Sequence, residues 1–162
     1  AGGDHLVRAW HHTFGLPTVT THCSNNYGPR QFPEKLIPHM IQSALRGATL
    51  PVYGDGRHVR DWIHVEDHAL GLQRALDLGK PGASYCFGGG AERTNLEVVH
   101  LLCDLLDRLR PKGHGTYRDQ ISFVKDRLGH DRRYAIDDAV ARRELGFTRN
   151  HSFESGLEST VR

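Results

Sequence analysis

Leu16-Pro17-Thr18-Val19-Thr20-Thr21-His22 runs directly into Cys23-Ser24-Asn25-Asn26-Tyr27-Gly28-Pro29. The first seven residues are β-rich and have the length of a buried strand. The asparagines, Gly28 and Pro29 are turn formers and are expected to stop that strand at once. Pro33 and Glu34 then open an amphipathic segment with the chemistry of a helix start. Asn25 and Asn26 are thereby placed at the carboxyl end of a strand, just ahead of a helix, where ligands bind in open α/β sheets. An Asn side chain carries both a donor and an acceptor, which suits an amide or a sugar hydroxyl. A plain Asn-rich turn is the competing reading.

The alternation continues on both sides of this stretch. Leu6, Val7, Trp10 and Phe14 recur at helical spacing and predict a helix over 4–14, stopped by Gly15-Leu16-Pro17. Leu36, Ile37, Met40, Ile41, Ala44 and Leu45 form the apolar stripe of a helix over about 34–46. Leu50-Pro51-Val52-Tyr53 is a short extended piece, and Gly54-Asp55-Gly56 a turn. Val59 to Val65 reads as a strand. Glu66 and Asp67 lie at the start of the next helix, favourable against its dipole, and Gly79 closes it. Ser84-Tyr85-Cys86-Phe87 is a strand, and Gly88-Gly89-Gly90 is expected to be a flexible loop. Thr94-Asn95-Leu96-Glu97 is a capping box ahead of a leucine-rich helix. Pro111 to Asp119 reads as a polar loop and Ile121 to Val124 as a strand. Asp137 to Leu145 reads as a helix, and Ser152 is placed to cap a last one. Strands alternating with helices define an α/β chain.

The 162 residues suffice for a domain with a core, although apolar content is only 38%. A formal charge of +2 gives no argument for nucleic acid. No apolar run approaches membrane-spanning length, and no signal-peptide pattern is present. Cys23, Cys86 and Cys103 are odd in number and widely spaced, as expected of a reducing cytoplasm. The twelve histidines are scattered and have no paired thiols beside them, so no metal site is expected. The first residues already read into a helix without an initiator Met, as in an internal or C-terminal segment.

Besides the asparagines, two places combine charge with a constrained backbone. Arg60-Asp61 is a charge pair inside an apolar strand beside Trp62; an exposed pair is the alternative, since neighbours on a strand face opposite sides. Arg127 to Arg133 gathers three arginines, Asp131 and His130, with Asp126 just ahead of it. Convergent guanidinium groups suit a diphosphate, whereas a solvated basic loop is the plainer reading. No G-x-x-G-x-x-G opens a strand–helix unit, and none of the five tyrosines is followed four residues later by Lys.

Several runs taken together resemble nucleotide-sugar dehydratases of the extended short-chain dehydrogenase/reductase family, the dTDP-glucose 4,6-dehydratases in particular. They are Ser24-Asn25-Asn26-Tyr27-Gly28-Pro29, Phe32-Pro33-Glu34-Lys35-Leu36-Ile37-Pro38, Leu50-Pro51-Val52-Tyr53-Gly54, Arg60-Asp61-Trp62, Val65-Glu66-Asp67-His68 and Asp126 to Asp137. The resemblance spans nearly the whole chain in matching order. It implies the C-terminal part of a Rossmann-type enzyme, including a smaller substrate-binding domain. Residues 1–30 and about 66–90 would join the Rossmann sheet, and about 31–65 and 91–162 would mainly bind substrate. It also implies a cytoplasmic homodimer that uses NAD. Such an enzyme oxidises a dTDP-sugar at C4, eliminates water across C5–C6 and returns the hydride to C6.

Residue by residue, the resemblance assigns substrate contacts to Asn25, Lys35, Leu36, Pro51, Val52, Tyr53 and Cys86. It gives a diphosphate contact to Arg60, a closing loop to Arg127, His130, Asp131, Arg132 and Tyr134, and a place near the nicotinamide to Asn26. It assigns no catalytic residue and no metal to this stretch. Leu128 stands where the family commonly has Pro, removing a fixed φ. Cys86 stands where many members have Asn, and a thiol is a weak donor. The family's Tyr-x-x-x-Lys, its Gly-rich loop and its Asp-Glu pair would lie upstream of Ala1. A UDP-sugar dehydratase, epimerase or decarboxylase of the same fold is an alternative, as is a non-catalytic module that captures nucleotide sugars.

Overall fold

The structure, a computed structural model, describes residues 1–162. Helix α1 (Gly2–Phe14) leads to β1 (Thr20–Cys23), β2 (Asn25–Tyr27) and α2 (Leu36–Leu45). Strands β3 (Leu50–Tyr53) and β4 (Val59–His64) precede α3 (Val65–Leu78), β5 (Ser84–Phe87) and β6 (Glu92–Thr94). Helix α4 (Asn95–Leu109) is followed by a 3₁₀ turn (Tyr117–Gln120) and β7 (Ile121–Val124). Strand β8 (Arg133–Tyr134), α5 (Ala139–Leu145) and α6 (Phe153–Val161) complete the chain.

The strands form three small sheets. β1 pairs with β5 in parallel, from Thr20 opposite Ser84 to Cys23 opposite Phe87. β4 is the centre of the second sheet, parallel to β2 and β8 and antiparallel to β6. β3 and β7 pair in parallel, Leu50 opposite Ile121. Asn25 and Asn26 therefore do not end a strand in a turn. The chain leaves β5 at Ser24, whose amide donates to the Phe87 carbonyl at 3.0 Å, and the asparagines then pair with Trp62 and Ile63 of β4. Pairing with a central strand overrides the poor intrinsic strand preference of Asn.

Two apolar cores result. The larger joins α2, α4 and α6 to β3 and β4 through Ile37, Met40, Val52, Trp62, Val98, Leu102, Leu106 and Leu157. The smaller joins β5, α3 and α5 through Ile63, Ala75, Tyr85, Phe87, Leu145 and Phe147. Gly71 is required there, since a Cβ at that position would lie 2.7 Å from the Phe87 ring. The expected capping box is present, with Thr94 Oγ1 accepting from Glu97 N and Glu97 accepting from Thr94 N.

Other expectations change. The polar loop at 111–119 runs into the 3₁₀ turn, because Tyr117 is buried and its hydroxyl donates to the Arg110 carbonyl at 2.9 Å. The Gly88-Gly89-Gly90 segment is packed rather than loose. The Gly89 amide donates to Asp61 at 2.9 Å, and a Cβ on Gly89 would fall 1.5 Å from the Trp62 carbonyl oxygen. Asp67, expected only to favour the α3 dipole, is 1% exposed and accepts the amides of Asn150 and His151. No helix is long and apolar enough to cross a membrane.

Candidate functional site

A cleft of about 920 Å³ opens between α2, β3, β4 and the 126–134 loop. Its apolar wall is built from Leu36, Met40, Pro51 and Trp62. These positions follow from the elements that carry them. Leu36 and Met40 are one helical turn apart, and Pro51 lies opposite Ser122 on the paired strands β3 and β7. Lys35, Arg60 and Arg127 bring positive charge to the same cleft, and Asn25, Tyr53, His130, Asp131 and Tyr134 add polar groups.

Arg60 is the most constrained of these. It is 6% exposed, donates to its neighbour Val59's carbonyl at 2.7 Å and to the Asp131 carbonyl at 2.8 Å, and stacks 4.1 Å from the Tyr134 ring centre. Asp61 does not neutralise it. That carboxylate, 1% exposed, points the other way and accepts the amides of Gly89 and Ala91 at 2.9 and 2.8 Å. The alternative of an exposed Arg–Asp pair is thereby ruled out. Neighbouring strand residues do face opposite sides, but both sides are covered. A buried guanidinium held only by carbonyls and a ring is short of negative charge.

The 126–134 loop is tied down by ion pairs. His130 Nδ1 meets Asp126 at 2.8 Å, and His58 Nε2 meets the other oxygen of the same carboxylate at 3.0 Å. His130 beside it, ahead of the Arg127 amide, holds the Asp126 carboxyl below its ordinary range. Arg132 pairs with Asp55 at 2.7 Å, which holds that carboxyl well below the usual range, and Arg133 pairs with Glu92 at 2.7 Å.

Ten of the fourteen residues singled out from sequence line this cleft: Asn25, Lys35, Leu36, Pro51, Tyr53, Arg60, Arg127, His130, Asp131 and Tyr134. Four do not. Val52 turns into the larger core, because alternate residues of β3 face opposite sides. Arg132 faces outward to Asp55. Cys86 lies half-buried on β5, where burial pushes its thiol pKa up. Asn26 faces the β1–β5 side. Its Oδ1 meets His68 Nδ1 at 2.9 Å, and its amide nitrogen donates to Cys23 Sγ and the Ser24 carbonyl.

Sequence reasoning passed over Glu34, His39, Met40, Trp62, Asn95, Leu128 and Gly129, which also line the cleft. Met40 was read as core stripe, and only the packing of α2 against β3 brings it to the cleft. Two histidine–carboxylate clusters were also not foreseen, His58–Asp126–His130 and His64–Glu66–His151. The second lies beneath α6 rather than in the cleft. There His64 and His151 stack at 3.9 Å, His64 Nδ1 caps α3 by accepting from Glu66 N, and burial holds the His64 pKa down.

Parallel strand pairs joined through helices make this a Rossmann-like α/β fold. The GDP-mannose 4,6 dehydratase family model matches residues 1–160, and the chain belongs to that family. A dTDP-glucose 4,6-dehydratase of Salmonella typhimurium is 56% identical over 161 residues, covering 99% of this chain and 44% of that protein. One from Neisseria gonorrhoeae is 56% identical over 164 residues, covering 99% and 47%. The crystal structure of the Bacillus anthracis dTDP-glucose 4,6-dehydratase in complex with NAD superposes with a TM-score of 0.88 at 44% identity, over 99% of this chain and 49% of that one. A Thermotoga maritima UDP-glucose 4-epimerase with UDP-glucose matches at 0.88 and 25% identity, over 99% and 50%. The chain thus spans about half the length of the curated relatives it matches. These shares fix how much of each relative is matched, and not which end.

Proposed function

We propose that this chain is the nucleotide-sugar-binding part of an NAD-dependent dTDP-glucose 4,6-dehydratase. The observation that supports it most is Arg60, a 6% exposed cation with no carboxylate partner, lining a cleft about 920 Å³ in volume. A diphosphate supplies the missing negative charge, and a guanidinium meets it with paired donors. Lys35 and Arg127 add charge to the same cleft. Leu36, Met40, Pro51 and Trp62 offer the flat apolar wall that a nucleobase requires. Asn25 and Tyr134 are left to orient the sugar.

NAD supplies a hydride acceptor and donor when bound. This chain's own residues fit only a small part of that cofactor, since it contains no Gly-rich turn opening a helix. Asn26 is its contribution, with the amide orientation set by His68 on one side and Ser24 on the other. The β1–β5 pair and α3 would belong to the cofactor-binding sheet, and the β4 and β3–β7 sheets to the substrate side. α5 packs on the β5 core and would go with the cofactor side. The 55–56% identity to dTDP-glucose 4,6-dehydratases, against 25% to the UDP-glucose epimerase, favours dTDP over UDP sugars. The test is a calorimetric titration with dTDP and with UDP. The chain is expected to prefer dTDP, and Arg60→Ala to weaken dTDP binding by about 1.5–3 kcal/mol, the range for a charged hydrogen bond. Equal dTDP affinity in the variant would remove the diphosphate assignment.

A further inference from the structure

Within the 126–134 loop, His130 stacks face to face on His58, centroids 3.8 Å apart and planes 16° apart. His58 comes from the turn before β4 and is 3% exposed, and its own carbonyl accepts from Asn95 N at the start of α4. The two oxygens of Asp126 bridge the pair, one to each ring. The contact joins the loop to the fixed wall of the cleft, and the loop supplies Arg127, Leu128, Gly129, His130, Asp131 and Tyr134 to its lining.

The outer nitrogens decide what the pair can accept. His130 Nε2 faces an Arg127 guanidinium nitrogen at 3.2 Å, so that ring accepts there and carries its proton on Nδ1 toward Asp126. His58 Nδ1 is buried without a partner. Metal-bound imidazoles hand their second N–H to an acceptor, and neither ring has one, so the cluster is poorly suited to a divalent cation. The His58 atom also opposes protonation of its ring, since a proton on Nδ1 would be a buried donor with nothing to meet. The surrounding charge points the same way. Arg60 and Arg132 face His58 from β4 and the loop, and Tyr53 of β3 meets His130 edge-on at 6.5 Å. Asp55 is already spent on Arg132, which leaves Asp126 as the one carboxylate on the pair.

We propose that His58, through Asp126 and His130, is a positioning residue that latches the 126–134 loop over the cleft, and that protonating His58 releases the latch. A cationic His58 would carry a buried N–H with no acceptor, with Arg60 and Arg132 facing it. Burial, and then His130, hold the His58 pKa below its ordinary value. A ring kept neutral in the closed state stabilises that state above the ordinary imidazole value. The stabilisation is lost as pH falls from there through the depressed value. Acid therefore opens the loop.

The test is hydrogen–deuterium exchange of residues 126–134 in the full chain, corrected for intrinsic rate, between about pH 7.5 and about pH 5.5. Exchange is expected to rise on acidification by up to about tenfold per pH unit, the limit for one linked proton. His58→Asn and His130→Asn should each exchange faster at the upper pH and lose most of the acid response. His39→Asn, which removes the other imidazole lining the cleft, should keep it. A purely structural role would leave the pH profile of the variants parallel to that of the unchanged chain, and parallel profiles overturn the proposal. A second arm rests on the nucleotide-sugar reading. Affinity for dTDP-glucose, whose diphosphate takes up no proton in this range, should fall with acid in the unchanged chain and stay flatter in His58→Asn. If exchange behaves as expected but dTDP-glucose binds at no pH, the latch stands and the nucleotide-sugar reading fails.

Discussion

Asp61 and Arg60 are adjacent in sequence and serve opposite faces of β4. The Asp61 carboxylate accepts two backbone amides from the segment that links β5 to β6, at 2.9 and 2.8 Å. It thereby fixes Gly89 against the Trp62 carbonyl, where no side chain fits. Asp61→Asn keeps the shape but offers one acceptor atom to two donors, and its own NH₂ would then face an N–H. We expect a loss of about 2 kcal/mol in urea unfolding, as for a buried group left unsatisfied. A variant as stable as the parent would mean that the amides find other acceptors. Sequence could mark Arg60-Asp61 as unusual, because charge in an apolar strand is rare. It could not tell that the two carry separate tasks, since the partners of Asp61 lie about thirty residues away.

Among the elements, α4 was the most legible. Its leucines repeat at helical spacing, and its start is written locally as Thr94-Asn95-Leu96-Glu97. Thr94→Ala removes the oxygen that accepts from Glu97 N at 3.2 Å and should cost about 1 kcal/mol of stability. The Glu97 carboxyl is held below its ordinary value by the Thr94 amide and then the Thr94 hydroxyl. That contribution is fully present above the ordinary carboxylate value and fades as pH falls through the depressed one. Thermal unfolding should therefore show the gap between parent and variant shrinking in acid; a gap independent of pH would show that the Thr94 hydroxyl does not stabilise the Glu97 carboxylate. The short strands were not legible. β6 and β8 have three and two residues, too few for any periodicity, and exist because β4 offers unpaired edges to them. β2 was hidden for another reason, because its asparagines are turn formers that a neighbouring strand has captured. The cleft itself was legible at Arg60 and the 127–134 loop through charge. It was not at Met40 or Trp62, where an apolar residue reads the same whether it faces a core or a ligand.

At the scale of the molecule, one helix stands outside both cores. α1 buries none of its residues and exposes Leu6, Trp10 and Phe14, with the Trp10 and Phe14 rings tilted against each other at 4.7 Å. The larger core lies against β3 and β4 and the smaller against β5, and the cleft opens on the side of the larger one. Under the proposed function, oxidation at C4 needs a base for the hydroxyl proton and a nicotinamide beside the carbon. No tyrosine of the chain is followed four residues later by Lys. Tyr27 is the tyrosine nearest the asparagines, but it is 1% exposed, donates to the Phe153 carbonyl, and has its pKa pushed up by burial and then by Asp67. That is the wrong direction for a base. Tyr53 and Tyr134 border the cleft, but each has a cation over its ring and no Lys four residues on. This chain, incubated with dTDP-glucose and NAD, is therefore expected to form no 4-keto-6-deoxy product while still binding dTDP through Arg60. Product above a blank free of host dehydratase would show that the base lies within these 162 residues and would reopen the assignment of every tyrosine.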